Sequence, residues 1–232
     1  MVREIIKSYT TMSLRHAIKQ VRADLKMARM HRTGLKRAKK YQSSRGLKLH
    51  AGCGDTIKSG FVNVDLNRTA DIPLDLREPL PFSDKSFSLV YSEHFVEHLE
   101  YPTEAQHFFA ESFRVLESGG VFSAGVPDIE WPIGAYANHA KFNGWFDYVA
   151  SAYPESDFLR TRAELLNYSL RQGTEHKFGW DFETMKSALQ RVGFTDVRRR
   201  EFDPALDSEK SRYSLPEDPR RCTTLYIRAS RP

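Results

Sequence analysis

Leu47-Lys48-Leu49-His50-Ala51-Gly52-Cys53-Gly54, followed after six residues by Phe61-Val62-Asn63-Val64-Asp65, is the stretch that decides the fold. Residues 47–51 read as a short strand that runs into a turn of small residues, where the backbone can come close to a ligand. Residues 61–66 read as a second strand with Asp65 near its carboxyl end, where a carboxylate can accept hydrogen bonds from both hydroxyls of a ribose. A third carboxylate, Asp75, follows a short apolar segment at 72–74 that reads as a third strand. Strand, glycine turn, strand and carboxylate together predict a nucleotide-type site at the edge of an open α/β sheet.

The same alternation continues toward the C-terminus. Residues 87–92 form a fourth apolar run with little polar interruption, the pattern of a strand buried on both faces. Thr103 with Gln106 makes a capping-box pattern before a helix whose apolar face carries Phe109, Phe113 and Leu116 and stops before Gly119. Residues 121–126 form a fifth strand, closed by Pro127, which has no N–H for a continuing ladder. Residues 129–180 break the rhythm and hold 11 of the 28 aromatic residues, including Trp131, Trp145 and Trp180, so they read as a helical insertion or lid. Asp181 then caps a helix bearing Phe182, Met185, Leu189 and Val192, with Gly193 as its stop, before strands at 194–197 and 223–228. The prediction is an α/β fold: a Rossmann-like, seven-stranded, mostly parallel sheet in a main domain spanning 46–232.

An N-terminal arm, 1–45, precedes it. Leu14, Ile18, Val21, Leu25 and Ala28 recur at helical spacing, and Arg15, Lys19, Arg22, Lys26 and Arg29 follow one residue later as a basic stripe. The arm holds 13 Lys/Arg against Glu4 and Asp24, a balance of +11, and the remainder holds 22 against 28, or −6. The net +5 therefore belongs to the arm. Docking on the acidic main domain is the favoured expectation for this helix, with contact to an anionic membrane surface or polymer through residues 14–29 as the other. Only six residues join Gly54 to Phe61, whereas a parallel crossover normally takes a dozen or more, so the arm is expected to cover the sheet face left bare. Two distant cysteines, Cys53 and Cys222, suggest neither a disulfide framework nor a cysteine metal site and fit a reducing cytoplasm. No stretch approaches the ~18 apolar residues of a membrane span.

With these residues in view, the sequence from 47 to about 200 resembles the class I S-adenosylmethionine-dependent methyltransferases, in particular the small type 11-like group. The resemblance rests on Leu-His-Ala-Gly-Cys-Gly with Phe-Val-Asn-Val-Asp, on Asp75-Leu76 through Leu80-Pro81-Phe82, and on the run from Phe87 to Ser92 leading to Glu97-His98-Leu99. Arg114-Val115-Leu116 with Gly119-Gly120 completes it. It implies S-adenosylmethionine as cofactor, with Gly52 and Gly54 against it, Asp65 on its ribose, and Asp75 with Leu76 flanking its adenine. His50 stands where the wider superfamily usually has an acid that holds the amino-acid end of the cofactor. Ser92 opens the crevice at the end of the fourth strand.

For transfer to a hydroxyl oxygen, a base beside the acceptor helps, and His94, Asp128 and His176 are the candidates. No metal is required, because the sulfonium is already activated. A competing pattern is His94-Phe95-Val96-Glu97-His98, which matches the H-x-x-E-H zinc peptidase motif, with Glu164 or Glu175 as a third ligand. The fourth strand lacks the Asn/Asp-Pro-Pro-aromatic pattern of many base-methylating enzymes, which disfavours a nucleic-acid acceptor. The expected function is O-methylation of a sugar, glycan or small-molecule hydroxyl, with a zinc peptidase and a non-catalytic cofactor-binding module as alternatives.

Overall fold

The computed structural model describes residues 10–137, 159–207 and 223–232. Its strands are β1 (Leu47–Ala51), β2 (Val62–Val64), β3 (Phe87–Glu93), β4 (Leu116–Pro127), β5 (Thr195–Arg199) and β6 (Thr224–Ser230). Its helices are α1 (Met12–Ala38), α2 (Thr103–Val115), α3 (Glu130–Ala137), α4 (Arg162–Arg171) and α5 (Phe182–Arg191). The strands make one sheet in the order β2-β1-β3-β4-β6-β5. β2, β1, β3 and β4 are parallel, and β6 lies antiparallel to both β4 and β5. The chain runs outward from β1 to β2 and returns to β3 on the other side of β1, so a crevice opens at the carboxyl ends of β1 and β3.

Among the described residues, six strands rather than the expected seven make up the sheet. Residues 72–74 form only an isolated parallel bridge, Ile72 to Val64, because Pro73 has no N–H with which to extend the ladder. One sheet face is closed by α2 and α5, whose Phe108, Phe109, Met185 and Leu189 are buried with Phe122 and Trp180. Each such side chain contributes roughly 1.5–3 kcal/mol on burial. Trp180 thus belongs to the main core, where it packs edge-on against Phe109 and Tyr101. Asp181 caps α5 as expected, its carboxylate accepting the Thr184 N–H at 2.8 Å. The Thr103 capping box does not form: Thr103 is already the first helical residue, and Gln106 instead donates to the Ala188 carbonyl. Of the insertion, α3 and α4 are described and pack together, and Trp145 lies outside the described residues.

The arm is helical but does not dock by its apolar stripe. Leu14, Ile18, Val21 and Leu25 are 41–56% exposed. Docking is confined to the last turns, where Gly34 and Ala38 are buried. His31 Nδ1 accepts the Asp75 N–H at 3.1 Å, and Arg37 donates to the Asp71 carbonyl at 3.3 Å. A Cβ on Gly34 would stand 2.1 Å from the Pro73 carbonyl oxygen, so glycine is what lets the helix reach the 71–75 segment. The sheet face expected beneath the arm is closed by other parts of the chain. Phe61 and Lys58 cover His50 and Tyr91, and Asp207 accepts from Tyr91 Oη and, at 2.6 Å twice, from Arg200. No helix among the described residues is long and apolar enough to cross a membrane.

Candidate active site

Leaving β1, the chain enters the left-handed region at Gly52 (φ 69°) and Gly54 (φ 51°), which glycine adopts without a steric penalty. The Gly52 and Cys53 N–H groups both donate to the Val64 carbonyl, at 2.9 and 3.2 Å, tying the turn to the end of β2. A Cβ at Gly52 would fall 2.3 Å from the Phe95 ring, so Gly52 is also needed to admit the segment after β3. At Gly54 a Cβ would meet nothing within 4 Å, so that backbone faces open space. Its N–H donates to Asp65 Oδ2 at 2.9 Å, which brings turn and carboxylate together as the sequence predicts. Burial pushes the Asp65 carboxyl above its usual range, against the opposing N–H groups of Gly54 and Leu66. A carboxylate short of solvation in this way gains from hydroxyl donors. Burial and nearby carboxylates push the Cys53 thiol up to about 12, so it is not a nucleophile at neutral pH.

The remaining cofactor candidates divide. His50 is 3% exposed, with Nδ1 3.2 Å from Asn63 Oδ1 and its ring on Tyr91. Burial, and then the Lys58 charge, hold it down at about 4 against the Asn63 hydrogen bond, so it is neutral and supplies no counter-charge. Arg77 takes both oxygens of Asp75, at 2.9 and 2.7 Å. Burial raises the Asp75 pKa, but the Arg77 hydrogen bonds and charge outweigh it and keep the carboxyl low. Leu76 is in the core. Ser92 is fully buried, and its Oγ has no hydrogen-bond partner among the described residues.

Of the catalytic candidates, His94 and His176 come together around Glu97, and Asp128 is committed elsewhere. Asp128 accepts from Arg199 at 3.0 Å and from the Glu130 N–H at 3.1 Å, the partners of a structural turn. His94 follows β3 in a left-handed conformation (φ 50°), uncommon outside glycine, with its N–H on the Gly125 carbonyl. Its Nδ1 lies 3.3 Å from Glu97 Oε1, and its Nε2 lies 3.4 Å from Thr224 Oγ1. Burial raises the Glu97 pKa, but the imidazoles of His94 and His98 outweigh it and keep the carboxyl low. His176 arrives from the segment between α4 and α5, held by Lys177 and Phe178 N–H groups that donate to the Glu97 carbonyl. Its ring lies 5.1 Å from that of His98, and burial lowers its pKa. Sequence reading missed this pairing and the place of Thr224, since both depend on chain segments far apart in sequence.

Residues 30–124 match the sequence model of the family described as "Methyltransferase domain". The family match thus identifies a methyltransferase domain signature over residues 30–124. The match starts inside α1, ends in β4, and includes Gly52, Gly54, Asp65 and the segment from Ser92 to His98. A comparison with curated sequences finds no match. Among solved structures, this chain is similar to phosphoethanolamine N-methyltransferase 2 of Haemonchus contortus in complex with S-adenosyl-L-methionine, at 13% identity and a TM-score of 0.47. That alignment covers 86% of this chain and 52% of the other, so this chain spans about half its length. A methyltransferase of Thermotoga maritima, described as a possible histamine N-methyltransferase, aligns at 15% identity and TM-score 0.46 over 94% of this chain and 97% of the other. An S-adenosylmethionine-dependent methyltransferase of Mesorhizobium loti aligns at 18% identity and TM-score 0.47 over 82% and 93%.

The residues present are compatible with S-adenosylmethionine, the cofactor that the sequence resemblance implies. The open backbone at Gly54, the under-solvated carboxylate of Asp65 and the unpartnered Ser92 hydroxyl stand on adjoining strand ends. The peptidase alternative is not favoured, because its motif needs His94 and His98 one turn apart on a helix. Here the only helical residues are a three-residue 3-10 turn, Val96–His98, and His94 lies outside it.

Proposed function

We propose that this methyltransferase acts on a hydroxyl oxygen of a sugar, glycan or other small acceptor, with His94 as the base. The observation that carries the reading is the His94–Glu97 pair at the carboxyl end of β3. A buried carboxylate 3.3 Å from Nδ1 favours the Nδ1–H tautomer and leaves Nε2 as the basic nitrogen. Thr224, 3.4 Å from Nε2, marks a position from which a hydroxyl can address it. S-adenosylmethionine, when bound, supplies a methyl already activated on a sulfonium. Gly54 and Asp65 would hold its ribose, and His94 would take the acceptor proton.

On the arm, the exposed apolar stripe beside the basic stripe supports contact with an anionic surface. A reducing cytoplasm is the compartment we propose, in keeping with the free, buried Cys53.

Calorimetry with S-adenosylmethionine and its demethylated product tests the cofactor, and methyl transfer to a panel of polyols and glycans tests the acceptor. His94→Gln should lower turnover roughly 10²–10⁴-fold while cofactor affinity holds. Full turnover in that variant would reject His94 as base, and cofactor binding with no transfer to any hydroxyl acceptor would favour a non-catalytic module.

A further inference from the structure

We propose that Glu97, His98 and His176 form a binding site for a divalent transition-metal ion of the zinc class. One ligand atom from each lies within 4.8 Å of the others, close enough to share one ion after small side-chain adjustments. Two imidazoles and a carboxylate are a ligand set that zinc and its neighbours in the first transition row accept, and three protein ligands leave a coordination position open.

Two independent features point the same way. Glu97 is 2% exposed, and among the described residues neither of its carboxylate oxygens receives a hydrogen bond of regular geometry, although His94 Nδ1 stands 3.3 Å from Oε1. Beyond the neighbouring imidazoles little else among the described residues is seen to solvate this buried carboxylate, and a cation would add a full counter-charge. Secondly, His98 donates Nδ1–H to the Glu175 carbonyl at 3.1 Å. That fixes the tautomer and leaves Nε2 as the lone-pair nitrogen, the usual outer-shell arrangement of a metal-bound histidine. The backbone is built for the same end, since the Lys177 and Phe178 N–H groups clamp the segment bearing His176 onto the Glu97 carbonyl at 2.8 and 3.3 Å. This differs from the peptidase motif: Glu97 becomes a ligand rather than a water-activating base, and the third ligand is His176 rather than Glu164 or Glu175.

The site stands at the carboxyl end of β3, with His98 within electrostatic reach of Asp65. On the methyltransferase reading, the open coordination position would hold an oxygen of the acceptor beside the cofactor, and this role rests on that reading. Metal binding itself does not.

The test uses the full chain after chelator treatment, titrated with Zn²⁺ in a calorimeter and with Co²⁺ by visible absorption. A single saturable equivalent with cobalt d–d bands is expected, and His98→Asn and His176→Asn should each weaken binding by more than the ~10–100-fold that outer-shell changes produce. Glu97→Gln serves as a third variant where it folds, and the two histidine variants carry the test where it does not. Absence of saturable binding, or unchanged affinity and spectrum in both histidine variants, overturns the site. S-adenosylmethionine binding, measured on the same metal-free protein, separates the two readings. Cofactor binding without metal binding rejects the site alone, and metal binding without cofactor binding rejects the cofactor reading and leaves the site standing.

Discussion

Acidification should destabilise this protein through His50. The imidazole is buried on β1 between Phe61 and Tyr91, and its pKa is lowered from 6.5 to about 4. Desolvation is the main cause, followed among the lowering effects by the nearby Lys58 charge. For a base with a depressed folded-state pKa, the unfolded chain binds the proton first. The contribution is therefore fully present above pH 6.5 and is lost as pH falls from there to about 4. A drop from 6.5 to about 4 corresponds to roughly 3 kcal/mol in all, with about 2 kcal/mol gone by pH 5. Against a typical stability of ~5–15 kcal/mol this is a large fraction. Urea denaturation at pH 7 and pH 5, on wild type and His50→Gln, isolates it, because other titrating groups largely cancel in the difference between the two proteins. Wild type should lose about 2 kcal/mol more than the variant. Equal losses would refute the claim that His50 is held neutral by the fold.

Asp65→Ala should weaken S-adenosylmethionine binding by roughly 1–3 kcal/mol in a protein that still folds, and unchanged affinity by calorimetry would remove Asp65 from the ribose site. Gly34→Ala should destabilise the fold by roughly 1–3 kcal/mol, because its methyl would overlap the Pro73 carbonyl, and an unchanged melting temperature would show that the end of α1 is not docked there. Removing residues 1–29 should leave the melting temperature nearly unchanged, since the stripe it deletes is exposed, yet abolish salt-sensitive sedimentation with anionic vesicles. A large drop in melting temperature would mean that the stripe is packed after all.

Most of the sheet was legible in the sequence because its signals are local. The runs at 47–51 and 87–92, the stop at Pro127 and the Asp181 cap each depend on neighbouring residues, and each appears where expected. The turn from Gly52 to Gly54 with Asp65 was legible for the same reason, since strand pairing of β1 with β2 has little freedom to place that carboxylate elsewhere. Residues 72–74 misled because an apolar triplet resembles a strand, while the ladder needs the N–H that Pro73 lacks. The stripe from Leu14 to Leu25 correctly predicted a helix, but helical periodicity identifies an apolar face without saying what covers it, and the burial falls instead at Gly34 and Ala38, beyond the stripe. Asp128 shows the same limit in reverse, being a plausible base by position that Arg199 claims in three dimensions. The cluster of Glu97, His98 and His176 was decided by tertiary structure alone. The spacing from 94 to 98 suggested a helical pair, but the left-handed turn at His94 and the docking of residues 175–178 chose a different set of neighbours. Such contacts are fixed by the global packing of the chain, which no local run of residues encodes.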